Sequence, residues 1–110
     1  MRYIATSVFL GFMVTSIVDA KSQELCPKYG SCVPESQFEC HDIDRSSLVT
    51  RVCYDATEKY MIIRLKSTYY HYCRIDPATV SALLNADSMG SFYRDNIKDS
   101  ATGGKFSCRS

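Results

Sequence analysis

Two groups of side chains in this 110-residue sequence have the chemistry for a functional site. The first is His41 with the neighbouring carboxylates Asp42 and Asp44, and the second is the aromatic run of residues 69–72, which contains His71. Histidine titrates near neutral pH, so His41 and His71 could act as acid and base if one substrate reached both. No motif of a hydrolase accompanies them. A small secreted hydrolase that uses His41 or His71 is therefore an alternative interpretation, and no catalytic residue is predicted.

The aromatic run favours binding over catalysis. Tyrosines on a sheet can stack on bases, on sugars or on a partner's side chains. If residues 68–73 form a strand, Tyr70 and Tyr72 point towards the core, whereas Tyr69 and His71 point the other way. The sequence therefore predicts an open outer face of the sheet around Tyr69 and His71. Basic residues of the strands either extend this binding surface or only keep it solvated: Arg51, Arg64 and Lys66.

The six cysteines predict a disulfide framework. They lack the paired Cys-x-x-Cys spacing of a zinc site, and the sequence predicts neither a metal nor another cofactor. If all six cysteines pair, none is a free thiol for catalysis. Many pairings are compatible with the sequence, and among them we predict Cys26–Cys32, Cys53–Cys73 and Cys40–Cys108.

The first 20 residues have the pattern of a signal peptide. Arg2 provides a positive charge, residues 8–18 are largely apolar, and Val18 and Ala20 are the small residues expected before a cleavage site. The apolar run of about 11 residues is short for a membrane span, which needs roughly 20. We therefore predict cleavage after Ala20, a secreted or periplasmic protein, and no membrane span in the mature chain.

The charge balance constrains the partner. Thirteen basic and 12 acidic residues give a net charge of +1, without the basic excess that is typical of nucleic-acid-binding domains. Binding to nucleic acid is possible but disfavoured, and a protein or an envelope component is the preferred partner.

The composition of the chain after residue 20 predicts an arm and a body. Residues 21–45 are polar and contain Pro and Gly, so they form a cysteine-rich N-terminal arm that depends on its bridges for order. Alternating apolar residues with many β-branched and aromatic types predict strands at residues 47–55, 60–66 and 68–73. Their short connections favour an antiparallel three-stranded meander.

Helical spacing replaces the alternation after the third strand. Asp76 and Pro77 suit the N-cap and first position of a helix that ends near Ala86, and Ser88 suits the cap of a second. Residues 98–110 form a C-terminal tail. The predicted fold class is thus α+β, a small antiparallel three-stranded meander with two short helices packed on it, stapled by disulfides.

Five short pieces of residues 46–97 follow one another in a recognisable order. They are Ser46-Ser47, Cys53-Tyr54-Asp55, Tyr70-His71-Tyr72, Ile75-Asp76-Pro77, and residues 86–93 with Asn96-Ile97. In order and spacing they resemble the KTSC domain, a module named for the C-terminus of some lysyl-tRNA synthetases. The resemblance implies a β-meander covered by helices and makes RNA binding a candidate activity. Export and the cysteine-rich arm depart from that pattern, because an exported domain would not meet transfer RNA. We therefore expect an exported, non-enzymatic interaction module.

Overall fold

The computed structural model describes residues 23–98 and 104–108. In the arm, β1 (Glu24–Leu25) pairs antiparallel with β2 (Val33–Pro34). The main sheet is antiparallel, in the order β3-β4-β5-β6, and is made of β3 (Glu39–Asp42), β4 (Val49–Asp55), β5 (Tyr60–Leu65) and β6 (Thr68–Tyr72). Because β3 belongs to this sheet, the arm is from here on the segment that precedes it, residues 23–38. Two helices follow, α1 (Pro77–Asn85) and α2 (Met89–Asn96). The α+β class is confirmed.

The main sheet has four strands, so the predicted three-stranded meander is wrong in strand number. The additional strand is β3, where Cys40 and His41 lie opposite Cys53 and Val52 of β4. No local pattern predicts this strand, because β3 is four residues long and contains no β-branched residue and no Phe, Tyr or Trp. Its extended conformation depends on pairing with β4.

Both predicted helix starts are confirmed. Asp76 is the N-cap of α1 with Pro77 at the first helical position, and Ala86 is its C-cap. At the start of α2, the Ser88 side chain accepts a hydrogen bond from the backbone N–H of Ser91 at 3.2 Å. Such a contact satisfies one of the N–H groups that a helix start leaves without an intrahelical partner.

The helices cover one face of the sheet, which we call the helix face, and enclose the main core. Met61 and Ile63 of β5 point into this core, as the alternation predicts. The buried side chains of the core are Val49, Val52, Met61, Ile63, Tyr72, Ile75, Val80, Leu83, Met89, Tyr93, Ile97 and Phe106. Phe106 lies in the predicted tail, yet it is buried, and its carbonyl accepts a hydrogen bond from the Cys73 N–H at 2.8 Å.

The arm covers the opposite face of the sheet, which we call the arm face. Leu25 of the arm is buried there against Cys53 and Ile62 of the sheet. Partly buried hydrophobic side chains surround this small cluster: Val33, Phe38, Cys40, Tyr60 and Tyr69. The prediction of an open outer face is therefore wrong, because the arm, which the sequence treats as irregular, packs on it.

Three disulfides join Cys26 to Cys32, Cys40 to Cys53, and Cys73 to Cys108. The first bridge agrees with the prediction, whereas the predicted pairs Cys53–Cys73 and Cys40–Cys108 are wrong. Cys40 lies directly opposite Cys53 in the β3–β4 ladder, with a Cα–Cα distance of 4.0 Å. Cys53 lies in β4, and Cys73 directly follows β6. Strand β5 separates these two strands, so they are about 10 Å apart. That is beyond the reach of a disulfide.

No helix within residues 23–98 or 104–108 is long and apolar enough to cross a membrane. The predicted signal peptide and its cleavage site lie outside the described residues.

Candidate functional site

Arg51, one of the predicted binding residues, holds the arm to the sheet. Its Nη2 donates a hydrogen bond to Glu35 Oε2 at 2.8 Å, and its Nη1 donates one to the Tyr69 hydroxyl at 3.2 Å. Its Nε lies 3.0 Å from Asp42 Oδ1, close enough for an ion pair though not aligned for a hydrogen bond. The hydrogen bonds to Tyr69 and Glu35 raise the pKa of Arg51 above its ordinary value, so the guanidinium stays charged.

Arg64 and Tyr69 are also engaged on the arm face. Arg64 Nε donates a hydrogen bond to Thr50 Oγ1 at 2.9 Å, and its guanidinium lies 5.7 Å from the centre of the Tyr69 ring. Both side chains are half-buried, whereas Lys66 is exposed in the turn between β5 and β6. The polar groups predicted to bind a partner therefore mostly bind other parts of the same chain.

His71 is half-buried where the arm meets the edge of the sheet. The Tyr60 hydroxyl is 2.8 Å from His71 Nδ1. Burial lowers the pKa of His71 and raises that of Tyr60. Gly30 of the arm lies so close that a Cβ at this position would be 2.6 Å from His71 Cε1. The close approach of the arm therefore depends on a glycine here.

The two histidines do not form one site. His41 lies opposite Val52, a residue of the main core, whereas His71 lies opposite Ile62 on the arm face. Paired residues of a sheet share a face, so the two imidazoles leave opposite faces. They also belong to β3 and β6, the two edge strands, which are about 14 Å apart. The structure does not bring His41 and His71 to one substrate.

Several tyrosines join elements of the fold. The Tyr54 hydroxyl donates a hydrogen bond to the Ile75 carbonyl at 2.6 Å, which links β4 to the start of α1. The buried hydroxyls of Tyr72 and Tyr93 are hydrogen-bonded at 2.5 Å, which links β6 to α2. Tyr70 is half-buried and, together with Tyr72 and Tyr93, lines a groove.

This groove, which we call the edge groove, runs along the outer edge of β6 and has a volume of about 1040 Å³. Its walls are aromatic, with Tyr70 and Tyr72 from β6 and Tyr93 from α2. Tyr29 of the arm also lines it and is 83% exposed. The rings and hydroxyls of the more exposed Tyr29 and Tyr70 suit a ligand that has both apolar and polar parts.

Cations surround the same groove. Lys28 approaches from the arm, and Arg94 and Lys98 lie in and just after α2. No acidic residue is among the described residues that line the groove. The edge groove therefore offers an aromatic and positively charged surface.

The sequence predicts few of the residues that line this groove. Of the five residues predicted to bind a partner, His71 alone is among the described lining residues. The cations and Tyr29 are far from β6 in the sequence, and no local pattern indicates that they meet there. The Tyr-x-Tyr pattern was the available signal, and within it Tyr70 lines the groove with its side chain half-buried.

One group of ligand-type side chains in the described part of the chain is compact enough for a metal: Glu24, Cys26 and Cys32, with ligand atoms within 4.8 Å of one another. Cys26 and Cys32 are bonded to each other, so neither sulfur is a thiolate ligand. In this oxidised state the group does not fit a metal centre.

The architecture defines a small α+β domain in which helices cover one face of a sheet and a disulfide-linked arm covers the other. The family model of the KTSC domain matches residues 45–100, and the chain belongs to this family. The match extends from before β4 to beyond α2 and does not include the arm or Phe106 and Cys108. No curated protein matches the sequence significantly.

Proposed function

We propose that the protein is an exported, non-enzymatic binding module whose edge groove holds part of a partner protein or an envelope component. The observation that carries this proposal is the convergence of tyrosines and cations on one groove. Tyrosine and arginine are enriched at protein interfaces, because they combine apolar area with hydrogen-bonding groups. The groove takes the place of the outer face as the binding surface, since the arm packs on that face.

Export is supported by the three disulfides and by the signal-peptide pattern of the first 20 residues. Disulfides persist in oxidising compartments and are rare in reducing ones. In an oxidising compartment the bridges close a loop of the arm, join β3 to β4, and tie the C-terminal segment to the end of β6.

Nucleic-acid binding is the second candidate, and the lining of the edge groove favours it as well. Bases stack on tyrosine rings, and phosphates attract lysine and arginine. The net charge of +1 and the proposed export disfavour it. A salt titration separates the two candidates, because affinity for nucleic acid falls steeply with added salt.

Site-specific crosslinking in cells tests the binding proposal. Tyr29 is replaced by p-benzoylphenylalanine, with Glu58 replaced in the same way as the control, because Glu58 is exposed in the β4–β5 turn and is not a lining residue of the groove. We expect a discrete adduct from position 29 and none from position 58, in protein recovered from outside the cytoplasm. Introducing Arg94→Glu should remove most of that adduct, since it reverses a charge of the groove.

Intact mass of the recovered protein checks the export part of the proposal. We expect a chain that begins at Lys21 and lacks two hydrogens for each of the three disulfides. A full-length, reduced protein in the cytoplasm would contradict export. Adducts that form equally from positions 29 and 58, or that persist in Arg94→Glu, would contradict binding in the edge groove.

A further inference from the structure

The outer edge of β6 is partly occupied by the rest of the chain. The Lys28 N–H donates a hydrogen bond to the Tyr69 carbonyl at 2.8 Å, and the Cys73 N–H donates one to the Phe106 carbonyl at 2.8 Å. The arm and the C-terminal segment thus each take one position of this edge. No strand of the described chain pairs with β6 on this side.

His71 lies midway between the two occupied positions. Backbone groups of alternate residues point to the same side of an antiparallel strand, so the N–H and carbonyl of His71 face the outer edge, like those of residues 69 and 73. Residues 69 and 73 are about 13 Å apart along an extended chain. The interval therefore has room for roughly two or three residues of an added strand. It opens into the edge groove.

The charges beside this interval indicate the sign of the ligand. Lys28 flanks it on the arm side, and Arg94 and Lys98 line the groove on the side of α2. Exposed ion pairs contribute little to affinity individually, but they orient a ligand and speed its association. Carboxylates before or after the added strand would therefore be favoured over ammonium groups.

A second copy of the chain is a poor occupant of this interval, because pairing two β6 edges would bring the same three cations together. A single-stranded nucleic acid would satisfy the cations and stack on the tyrosines. However, its backbone has no ladder of N–H and carbonyl groups to match His71. A peptide main chain has that ladder, and addition of an extended peptide to an exposed sheet edge is a common recognition mode.

We infer that the edge groove accepts an acidic peptide segment in extended conformation, which pairs with the backbone of His71 as a short additional strand beside β6. This inference rests on the proposed function of the groove and adds the class of ligand and its binding mode. The side chains of the added segment contact Tyr70 and Tyr29, and its carboxylates lie near Arg94 and Lys98.

Fluorescence anisotropy with defined peptides tests the inference on the full oxidised protein. The probe is a capped, labelled hexapeptide that alternates Asp and Val, and the matched control has Lys in place of Asp. A third peptide has the acidic sequence with N-methyl groups on alternate residues, which removes main-chain donors and leaves the charges unchanged. We expect the acidic peptide to bind about fivefold more tightly than the N-methylated peptide, which lacks the main-chain donor for the His71 carbonyl. It should also bind more tightly than the Lys peptide, whose ammonium groups are repelled by the cations of the groove.

Variants of matched charge locate the site. Lys98→Glu should weaken binding of the acidic peptide several-fold, whereas Lys59→Glu should not, because Lys59 is exposed in the β4–β5 turn outside the groove. Hydrogen exchange of the His71 amide should slow when the acidic peptide is present. This exchange reports the added strand directly and does not depend on a variant.

Several results would overturn the inference. Failure of the acidic peptide to bind at millimolar concentration would do so, as would tighter binding of a labelled 12-nucleotide oligo-dT. Equal affinity of the N-methylated peptide, with unchanged exchange at His71, would exclude strand addition. These outcomes leave the groove as a binding site, because the crosslinks from position 29 test that proposal independently of any peptide.

Discussion

The two faces of the sheet are covered by different physical means. On the helix face, 12 buried side chains from the sheet, both helices and the C-terminal segment form one core. On the arm face three buried side chains form a much smaller cluster. There the hydrogen bond between Arg51 and Glu35 attaches the covering segment, and the Cys40–Cys53 bridge anchors β3, the strand into which that segment leads. A segment too polar to bury much apolar area is thus held by covalent and charged contacts.

The two coverings leave room for a site at the edge of the sheet. The helix face is closed by packing and the arm face by the docked arm. The interval at His71 lies between these two coverings, at the edge of β6, where the arm and the C-terminal segment each occupy one backbone position. The edge groove is therefore a product of both coverings.

The largest expected difference between the faces comes from adjacent residues of β5. Ile63 points into the main core and Ile62 into the arm cluster, and both side chains are fully buried. We expect Ile63→Ala to lower the free energy of unfolding by about 4 kcal/mol and Ile62→Ala by about 2 kcal/mol. We expect the smaller loss of stability for Ile62→Ala because the arm can shift and partly fill the cavity left by the side chain. Urea unfolding followed by circular dichroism measures both values.

Equal losses from the two variants would mean that the arm packs as rigidly as the helices do. It would then be wrong to distinguish a helix face held by core packing from an arm face held by covalent and charged contacts.

Removal of the two N-terminal bridges, one between β3 and β4 and one within the arm, should have the next largest effects. The Cys40–Cys53 bridge joins residues 13 apart in sequence and the Cys26–Cys32 bridge residues six apart. Loop-closure entropy then predicts losses of about 3 kcal/mol for Cys40→Ala with Cys53→Ala, and about 2 kcal/mol for Cys26→Ala with Cys32→Ala. Denaturant unfolding of the two double variants provides the comparison. A larger loss from the shorter bridge would contradict this entropic ranking.

The smallest effect concerns pH and His71. Because burial lowers the pKa of His71 in the folded protein, the unfolded chain, with a pKa near about 6.5, binds the proton more strongly. Stability should therefore fall as the pH decreases through about 6.5 towards the folded pKa, and it should be fully retained above that range. Unfolding midpoints between about pH 7.5 and pH 5, compared with those of His71→Asn, isolate this contribution. An unchanged pH dependence in the variant would show that His71 does not contribute.

Prediction from sequence succeeded where the signal was local. The alternation of β5 and the cap residues Asp76 and Ser88 are patterns of residues close in sequence, so strands β4–β6 and both helix starts were predictable. The bridges Cys40–Cys53 and Cys73–Cys108 were not, because strand order decides which cysteines come within reach. The candidate site was harder still, since Lys28, Tyr70 and Lys98 meet only after the arm and α2 have packed.

The sequence by itself determined the α+β class, the two helices with their caps, the even set of cysteines and the family to which residues 45–100 belong. Each of these follows from residue type and short-range periodicity. Tertiary structure decided that β3 joins the sheet, which cysteines pair, and that the arm covers the face expected to be open. The physical reason is that these features depend on contacts between segments distant in sequence, whose free energy exists only once the sheet has formed.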